Sequence, residues 1–226
     1  MNARSIMPKL DSFHNTFLEL DCDAAVVTET WLNEAGNAAA RKLKDFEDKS
    51  DLCFIRRDRN SGQRGGGVAV VFDRRKIAME RAKLPHSKHE VVAAIGRRQG
   101  QRRKVLIVGL YIPPSYNAAQ NRSLYNYVND CLLLLHRRYE DPYTIVAGDL
   151  NRREVGEITR DFHCIRPIAT PPTRGLAVLD IVSSNFNRQL EEAGVTDPVQ
   201  SDETGADGDH PSGCVHKFQH AQSPPV

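Results

Sequence analysis

Glu29, Tyr111, Asp149 and Asn151 are polar residues that stand at or just beyond the ends of apolar runs, and Asp209-His210 precede a further, weaker run. Taken singly, each reads as a cap or turn residue. Taken together they read as a site, because side chains at the carboxyl ends of neighbouring strands converge on one rim. The set is rich in oxygen, with carboxylates, an amide, a phenol and one imidazole, and it holds no thiolate and no histidine cluster. Such ligands suit Mg2+ or Mn2+, which keep several waters and take up phosphate oxygens. A metal held in this way stabilises the charge that builds during phosphoryl transfer. The glycines at 62–67 lack the Gly-Lys-Ser/Thr ending of a nucleotide-binding loop and do not open a helix, so the chemistry implied is hydrolysis. A nucleophilic Gly-x-Ser-x-Gly elbow is also lacking.

The elements that must position these residues follow from apolar periodicity. Leu10, Phe13, Phe17 and Leu20 recur at helical spacing and predict a helix over 7–20. Buried strands are expected at 24–27, 52–55, 68–72, 91–95, 104–112, 143–147 and 177–182. Glycine-rich and charged loops join 52–55 to 68–72 and 91–95 to 104–112 as hairpins. Leu124, Val128, Cys131, Leu132 and Leu135 form the apolar stripe of a long helix over 118–139, and a shorter helix is expected over 154–161. Strands in hairpins and strands followed by helices both occur, which predicts sheets packed together with helices outside. The whole reads as one domain over 1–218, with a frayed tail at 219–226.

Composition sets bounds on function. The 226 residues, 40% hydrophobic, suffice for a sizeable core. The longest apolar runs, at 68–72, 91–95 and 131–135, fall far short of the roughly 18 residues that cross a bilayer. The first twenty residues carry Arg4, Lys9, Asp11 and Glu19 and do not resemble a secretory signal, so an intracellular protein is expected. Five cysteines at wide, irregular spacing read as reduced thiols. Thirty-one Lys/Arg against 29 Asp/Glu leave a net charge of only +2. The distribution is uneven: residues 51–110 hold 15 basic and 5 acidic side chains, residues 1–50 hold 6 and 9, and residues 161–226 hold 4 and 9. Most of the central base is arginine, suited to phosphate, and falls at the two hairpin tips. Phosphate tracking and solvated, edge-guarding charge are both open readings of it.

In chain order, Asn2-Ala3-Arg4-Ser5, Thr28-Glu29-Thr30-Trp31-Leu32, Gly65-Gly66-Gly67-Val68, Gly109-Leu110-Tyr111-Ile112-Pro113-Pro114, Gly148-Asp149-Leu150-Asn151, Leu179-Asp180-Ile181-Val182 and Gly208-Asp209-His210 resemble the endonuclease domain of non-LTR (LINE-type) retrotransposons. That domain belongs to the exonuclease/endonuclease/phosphatase superfamily. The resemblance spans about residues 2 to 213. It implies a DNase-like, four-layer α/β sandwich: two mixed β-sheets packed face to face, with helices on both outer sides. It also implies a Mg2+-dependent phosphodiesterase that nicks target DNA to leave a 3′-hydroxyl primer for reverse transcription. By the resemblance, Glu29, Asn2 and Asp209 lie on the metal side, with Mn2+ able to replace Mg2+. Asp149 activates the attacking water beside Asn151, His210 paired with Asp180 contacts the scissile phosphate, and Tyr111 donates to it. Thr173 corresponds to a phosphate-contacting threonine, and Arg152 and Arg153 are candidates for substrate binding. The implied partners are DNA and, in the intact element, a reverse transcriptase; the implied site of action is the nucleus.

Two positions depart from the pattern. In the family the asparagine ends a full first strand, whereas only Met1 precedes Asn2 here, so that strand is expected to be missing. Gly208 stands where the family has serine. The expectation is therefore a fragment or degenerate copy of a larger element. Two alternatives to the endonuclease remain open at this point: a catalytically inactive nucleic-acid-binding remnant, and a superfamily phosphatase acting on a small phosphoester.

Overall fold

The computed structural model describes residues 1–32, 38–59, 65–151, 158, 166–167, 180–185, 192–196 and 213–217. A 3-10 turn, Met7–Lys9, leads into α1 (Leu10–Glu19), whose Leu10, Phe13 and Phe17 are buried as their spacing predicts. The order continues β1 (Ala24–Thr28), α2 (Ala38–Lys49), β2 (Leu52–Arg57), β3 (Val68–Asp73), β4 (Ile77–Arg81), β5 (Glu90–Arg98), β6 (Val105–Tyr111), α3 (Ala118–Tyr139), β7 (Tyr143–Asp149), β8 (Arg166–Pro167), β9 (Asp180–Ser184), β10 (Glu192–Thr196) and β11 (Gly213–Lys217).

Two sheets carry the fold, and β10 and β11 pair separately. The smaller has order β1-β3-β2; the larger has order β4-β5-β6-β7-β9-β8. Strand alternation sorts their side chains into three packed zones. Ala69 and Val71 of β3 and Val27 of β1 join Phe13, Phe17 and Leu43, between the smaller sheet and α1 and α2. Val68 and Val70 point the other way and join Val92, Ala94, Ile107 and Ile145 between the sheets. Leu106, Val108 and Leu110 of β6 meet Leu124, Val128, Leu132 and Leu135 of α3. The layers are thus helices, sheet, sheet, helix, the expected DNase-like sandwich. The unbroken apolar run of β3 is explained by burial on both faces.

Among the described strands, pairing is antiparallel except between β6 and β7. The smaller sheet is antiparallel within its three strands, and the parallel bridge of Asn2 joins it at β1. Parallel strands need a long crossover, and α3 supplies it. Its start is fixed by a reciprocal capping box, with Asn117 accepting from the Gln120 amide and Gln120 accepting from that of Asn117. In place of a first strand, Asn2 makes a single parallel bridge to Thr28. Of the strand expected at 177–182, residues 180–182 fall in β9, which continues to Ser184 and pairs with β7; residues 177–179 lie outside the described residues. So do the tail at 219–226 and the helix expected at 154–161, apart from helical Ile158. Among the described residues, Cys22, Cys53 and Cys131 form no disulfide. Among the described residues no helix is long and apolar enough to cross a membrane.

At the end of β3 the fully buried Asp73 carboxylate accepts from the Arg75 amide, Nε and Nη2 at 2.9, 3.1 and 2.8 Å. These bonds hold its pKa below the ordinary value. A depressed carboxylate contributes stability above its unfolded pKa of about 3.9 and loses it as pH falls through the folded pKa. Asp73→Asn should therefore lower the urea midpoint at pH 7, with a gap to wild type that narrows below about pH 4. An equal gap at pH 7 and pH 3 would place the effect outside this carboxylate.

Candidate active site

Strand register decides what meets at the rim. Glu90 at the start of β5 pairs with Tyr111 at the end of β6, Tyr111 with Asp149 at the end of β7, and Asp149 with Asp180 at the start of β9. Four polar residues thus occupy one row across the larger sheet. Tyr111 belongs to the zone between the sheets, and strand alternation puts Glu90 and Asp149 on the same face. Across the gap, β1 ends at Thr28, opposite Val68, which in turn pairs with Arg57. Glu29 follows directly. The site therefore lies at the open end of the inter-sheet core.

Hydrogen bonds tie the two sides together. Asn2 Nδ2 donates to Asp149 Oδ2 at 2.9 Å, reaching from beside β1 to the larger sheet. The Asn151 amide donates to Asp149 Oδ1 at 2.9 Å, and Asn151 Nδ2 donates to the Ile112 carbonyl at 2.7 Å. Asp149, 2% exposed, thereby receives one donor on each oxygen. Glu29 Oε2 accepts from Trp31 Nε1 at 2.5 Å and from the Gly66 amide at 2.8 Å. Tyr111 sits between the carboxylates. Burial first, then its hydrogen bond to Glu29 and the nearby charges of Glu29 and Asp149, push its pKa far above the ordinary 10. It is thus a neutral donor across the working pH range.

The backbone is strained here. Among the described residues, non-glycine positions with positive φ are Arg4, Ser5, Asp21, Glu29, Trp31, Glu140, Asp141 and Asn151. Arg4, Ser5, Glu29, Trp31 and Asn151 fall at this rim. Each left-handed residue costs on the order of 1 kcal/mol and persists only where its surroundings dictate it. Bonds from the Ser5 amide to the Glu29 carbonyl and from the Trp31 amide to the Gly66 carbonyl, each 2.9 Å, provide that constraint.

The structure brings together Asn2, Glu29, Tyr111, Asp149 and Asn151, and sets the backbone of Asp180 at the end of the row. Asp209, His210, Thr173, Arg152 and Arg153 lie outside the described residues. Among the described residues no three His, Cys, Asp or Glu side chains gather as a metal site.

Two site neighbours escaped the sequence reading. Glu90 Oε1 accepts from Arg59 Nε at 2.7 Å, and its other oxygen accepts from the Gly67 amide. A signal for Glu90 existed. In a hairpin the start of the first strand lies beside the end of the second, so the residue before the run at 91–95 had to stand near Tyr111. The basic loops also separate. The described ends of the β2–β3 connection, Arg59 among them, are at the site rim, whereas the β5–β6 tip at 97–104 is at the opposite end, past the pair Gly96 and Val105.

A four-layer sandwich with a carboxylate-bearing rim defines the class. The chain matches the Endonuclease/Exonuclease/phosphatase family over residues 2–210 and belongs to that family. Its fold is similar to that of the endonuclease domain of TRAS1, a telomere-specific non-LTR retrotransposon: TM-score 0.60, 9% identity, 87% of this chain and 88% of that chain covered. It is equally similar to a Bacteroides thetaiotaomicron mannosyl-6-phosphatase, at TM-score 0.60, 12% identity and 83% and 78% coverage. The human Nocturnin catalytic domain gives 0.55, 12%, 82% and 77%. No curated protein sequence matches the chain.

Gly148 pairs with Leu110 across the parallel ladder, at φ 156°, and a Cβ there would overlap the Leu110 carbonyl oxygen. This close approach sets Asp149 beside Tyr111. Gly148→Ala should cost at least about 2 kcal/mol in urea unfolding; a wild-type midpoint would refute the tight β6–β7 approach.

Proposed function

We propose that the chain is a divalent-metal-dependent phosphodiesterase acting on DNA, a retrotransposon-type endonuclease whose nick leaves a 3′-hydroxyl primer for target-primed reverse transcription, in an element that also encodes the reverse transcriptase. The observation that carries this reading is the array of Asn2, Asp149, Tyr111 and Glu29 at one rim. The family match, the fold likeness to the TRAS1 domain, and the motifs Glu29-Thr30-Trp31-Leu32 and Gly109-Leu110-Tyr111-Ile112-Pro113-Pro114 support it.

A phosphodiester resists attack because its own charge repels nucleophiles, so the site must place a water and absorb charge. In the proposed step the water oxygen bonds to phosphorus and its proton passes to Asp149, while the P–O3′ bond breaks with its electron pair on O3′, and the departing oxyanion takes a proton from solvent to become the 3′-hydroxyl. Asn2 and Asn151 hold the Asp149 carboxylate in place, one donor on each oxygen. Tyr111, held neutral, donates to a non-bridging phosphate oxygen, which replaces Glu29 as the acceptor of its single proton. His210, oriented by Asp180, stabilises the charge that develops there; Thr173, Arg152 and Arg153 contact the substrate. Glu29 and Asn2, with Asp209, offer the hard oxygen donors that fit Mg2+, which when bound neutralises phosphate charge.

The likeness to a mannosyl-6-phosphatase supports a second reading, hydrolysis of a small phosphoester. Salt separates the two, since DNA affinity falls steeply with ionic strength and that of a single phosphomonoester only mildly.

Supercoiled plasmid should become open circle with Mg2+ and stay intact with EDTA. Asp149→Ala or His210→Ala should lower the rate at least about 100-fold while DNA binding persists. Wild-type nicking by Asp149→Ala would end the assignment, and no nicking by folded, DNA-binding wild-type protein would favour a non-catalytic binder. Tyr111→Phe should cost about 100-fold. Because burial and Glu29 raise the phenol's pKa, protonation is retained as pH rises, so wild-type activity should show no fall near pH 10 that the Phe variant lacks. Such a limb would place Tyr111 in the wrong protonation state for a donor.

A further inference from the structure

Arg59 is built into the rim in a way that the proposed chemistry leaves unused. Its Nε is spent on Glu90 Oε1 at 2.7 Å, and the second Glu90 oxygen is spent on the Gly67 amide. The side chains of the pair are 18% and 7% exposed. The guanidinium carbon lies 5.7 Å from the centre of the Tyr111 ring. Gly66 makes room for it, since a Cβ there would overlap the guanidinium. Arg59 Nη2 is buried and has no hydrogen-bond partner among the described residues.

A buried donor that no described residue satisfies is costly unless a further group completes it. Here it belongs to a permanently charged, planar fork fixed on its Nε by a carboxylate and set beside the phenol expected to touch the scissile phosphate. The ligand that matches such a fork is a phosphate oxygen. The pair carries no net charge, so it recognises by directed hydrogen bonds rather than by a diffuse field.

Resting on the nuclease reading, we propose that Arg59, oriented by Glu90, forms a phosphate subsite beside Tyr111 that binds a backbone phosphate at or next to the nicked bond of DNA. Arg59 is the contacting residue and Glu90 a positioning residue.

The test is a double-mutant cycle between protein and DNA, read as binding in EDTA so that cleavage does not intervene. Wild-type nicking first maps a preferred bond. Duplexes are then made with one methylphosphonate, a neutral replacement, at the nicked phosphate or at either neighbour. Arg59→Ala should weaken binding to unmodified duplex about ten-fold. At one of the three positions the methylphosphonate should cost the variant little further, a non-additivity that a purely structural arginine would not give. Additive losses at all three positions would overturn the subsite and leave the nuclease reading untouched. Where Arg59→Ala fails to fold because Glu90 is left alone, Arg59→Met with Glu90→Gln removes both charges, and the same cycle is read. Glu90→Gln, which keeps Arg59, should retain the coupling but weaken it; unchanged coupling would overturn the positioning role. If wild-type protein neither nicks nor binds DNA, the nuclease reading falls, and inorganic phosphate becomes the probe. A phosphate-induced rise in Tm that Arg59→Ala abolishes would support the subsite, and an equal rise in both proteins would overturn it.

Discussion

The parallel ladder between β6 and β7 is the contact on which the site depends. Its register places Tyr111 beside Asp149 at the strands' carboxyl ends, and a one-residue slip would turn either side chain to the α3 face. Parallel pairing requires the chain to travel back along the sheet, so the site depends in turn on α3. Its Leu124, Val128, Leu132 and Leu135 clamp β6 from outside, while Ile107 of the same strand packs inward against the smaller sheet. β6 is gripped on both faces and both edges. The antiparallel neighbours β5 and β9 then extend the same row to Glu90 and Asp180. One ladder thus converts four distant sequence positions into one line of polar groups.

Charge is arranged by the same topology. The basic excess between 51 and 110 suggests a broad anion-binding face, yet much of it is paired at the end opposite the site. There Lys76 meets Asp21 at 2.5 Å, Arg98 meets Asp23 at 3.3 Å, Arg74 and Arg75 meet Asp51 at 3.3 and 3.1 Å, and Arg103 meets Asp141 at 2.8 Å. Arg103 also stacks over Tyr143, 4.3 Å from the ring centre. Acidic residues of the amino-terminal segment thus answer basic residues far away in sequence. Most of these pairs are half exposed and add little stability. Their consequence is to quench the field at that end.

The strands that carry the row were legible because they are apolar on both faces, and runs such as Val105–Tyr111 admit few other readings. α2 was not, because Leu43 and Phe46 are its main apolar contacts, too few to show a period. β4 was missed for a similar reason: as an edge strand it buries only Ile77. Residues of the site that end strands, Glu29, Tyr111 and Asp149, could be read from position alone. Arg59 could not, since nothing in the run Arg56-Arg57-Asp58-Arg59 marks which arginine turns inward. Its partner Glu90 and the missing Cβ of Gly66 decide that in space.

Why the polar row survives at the edge of a hydrophobic core is a question of alternatives. An apolar residue at Asp149 or Glu90 would pack against Ile145, Ala147 and Val92 and relieve the desolvation of a buried carboxylate, often a neutral or stabilising exchange. The left-handed residues around Glu29 and Asn151 add a further cost. The same polar positions also have their hydrogen bonds assigned with little slack: both oxygens of Asp149, one of Glu29 and both of Glu90 are held by protein donors. Such a network fixes geometry better than it stabilises the fold. The stability lost at the rim is offset by the three apolar zones beneath it, where β3 and β6 are buried on both faces. That division lets a rigid, charged mouth sit on a core that does not need it.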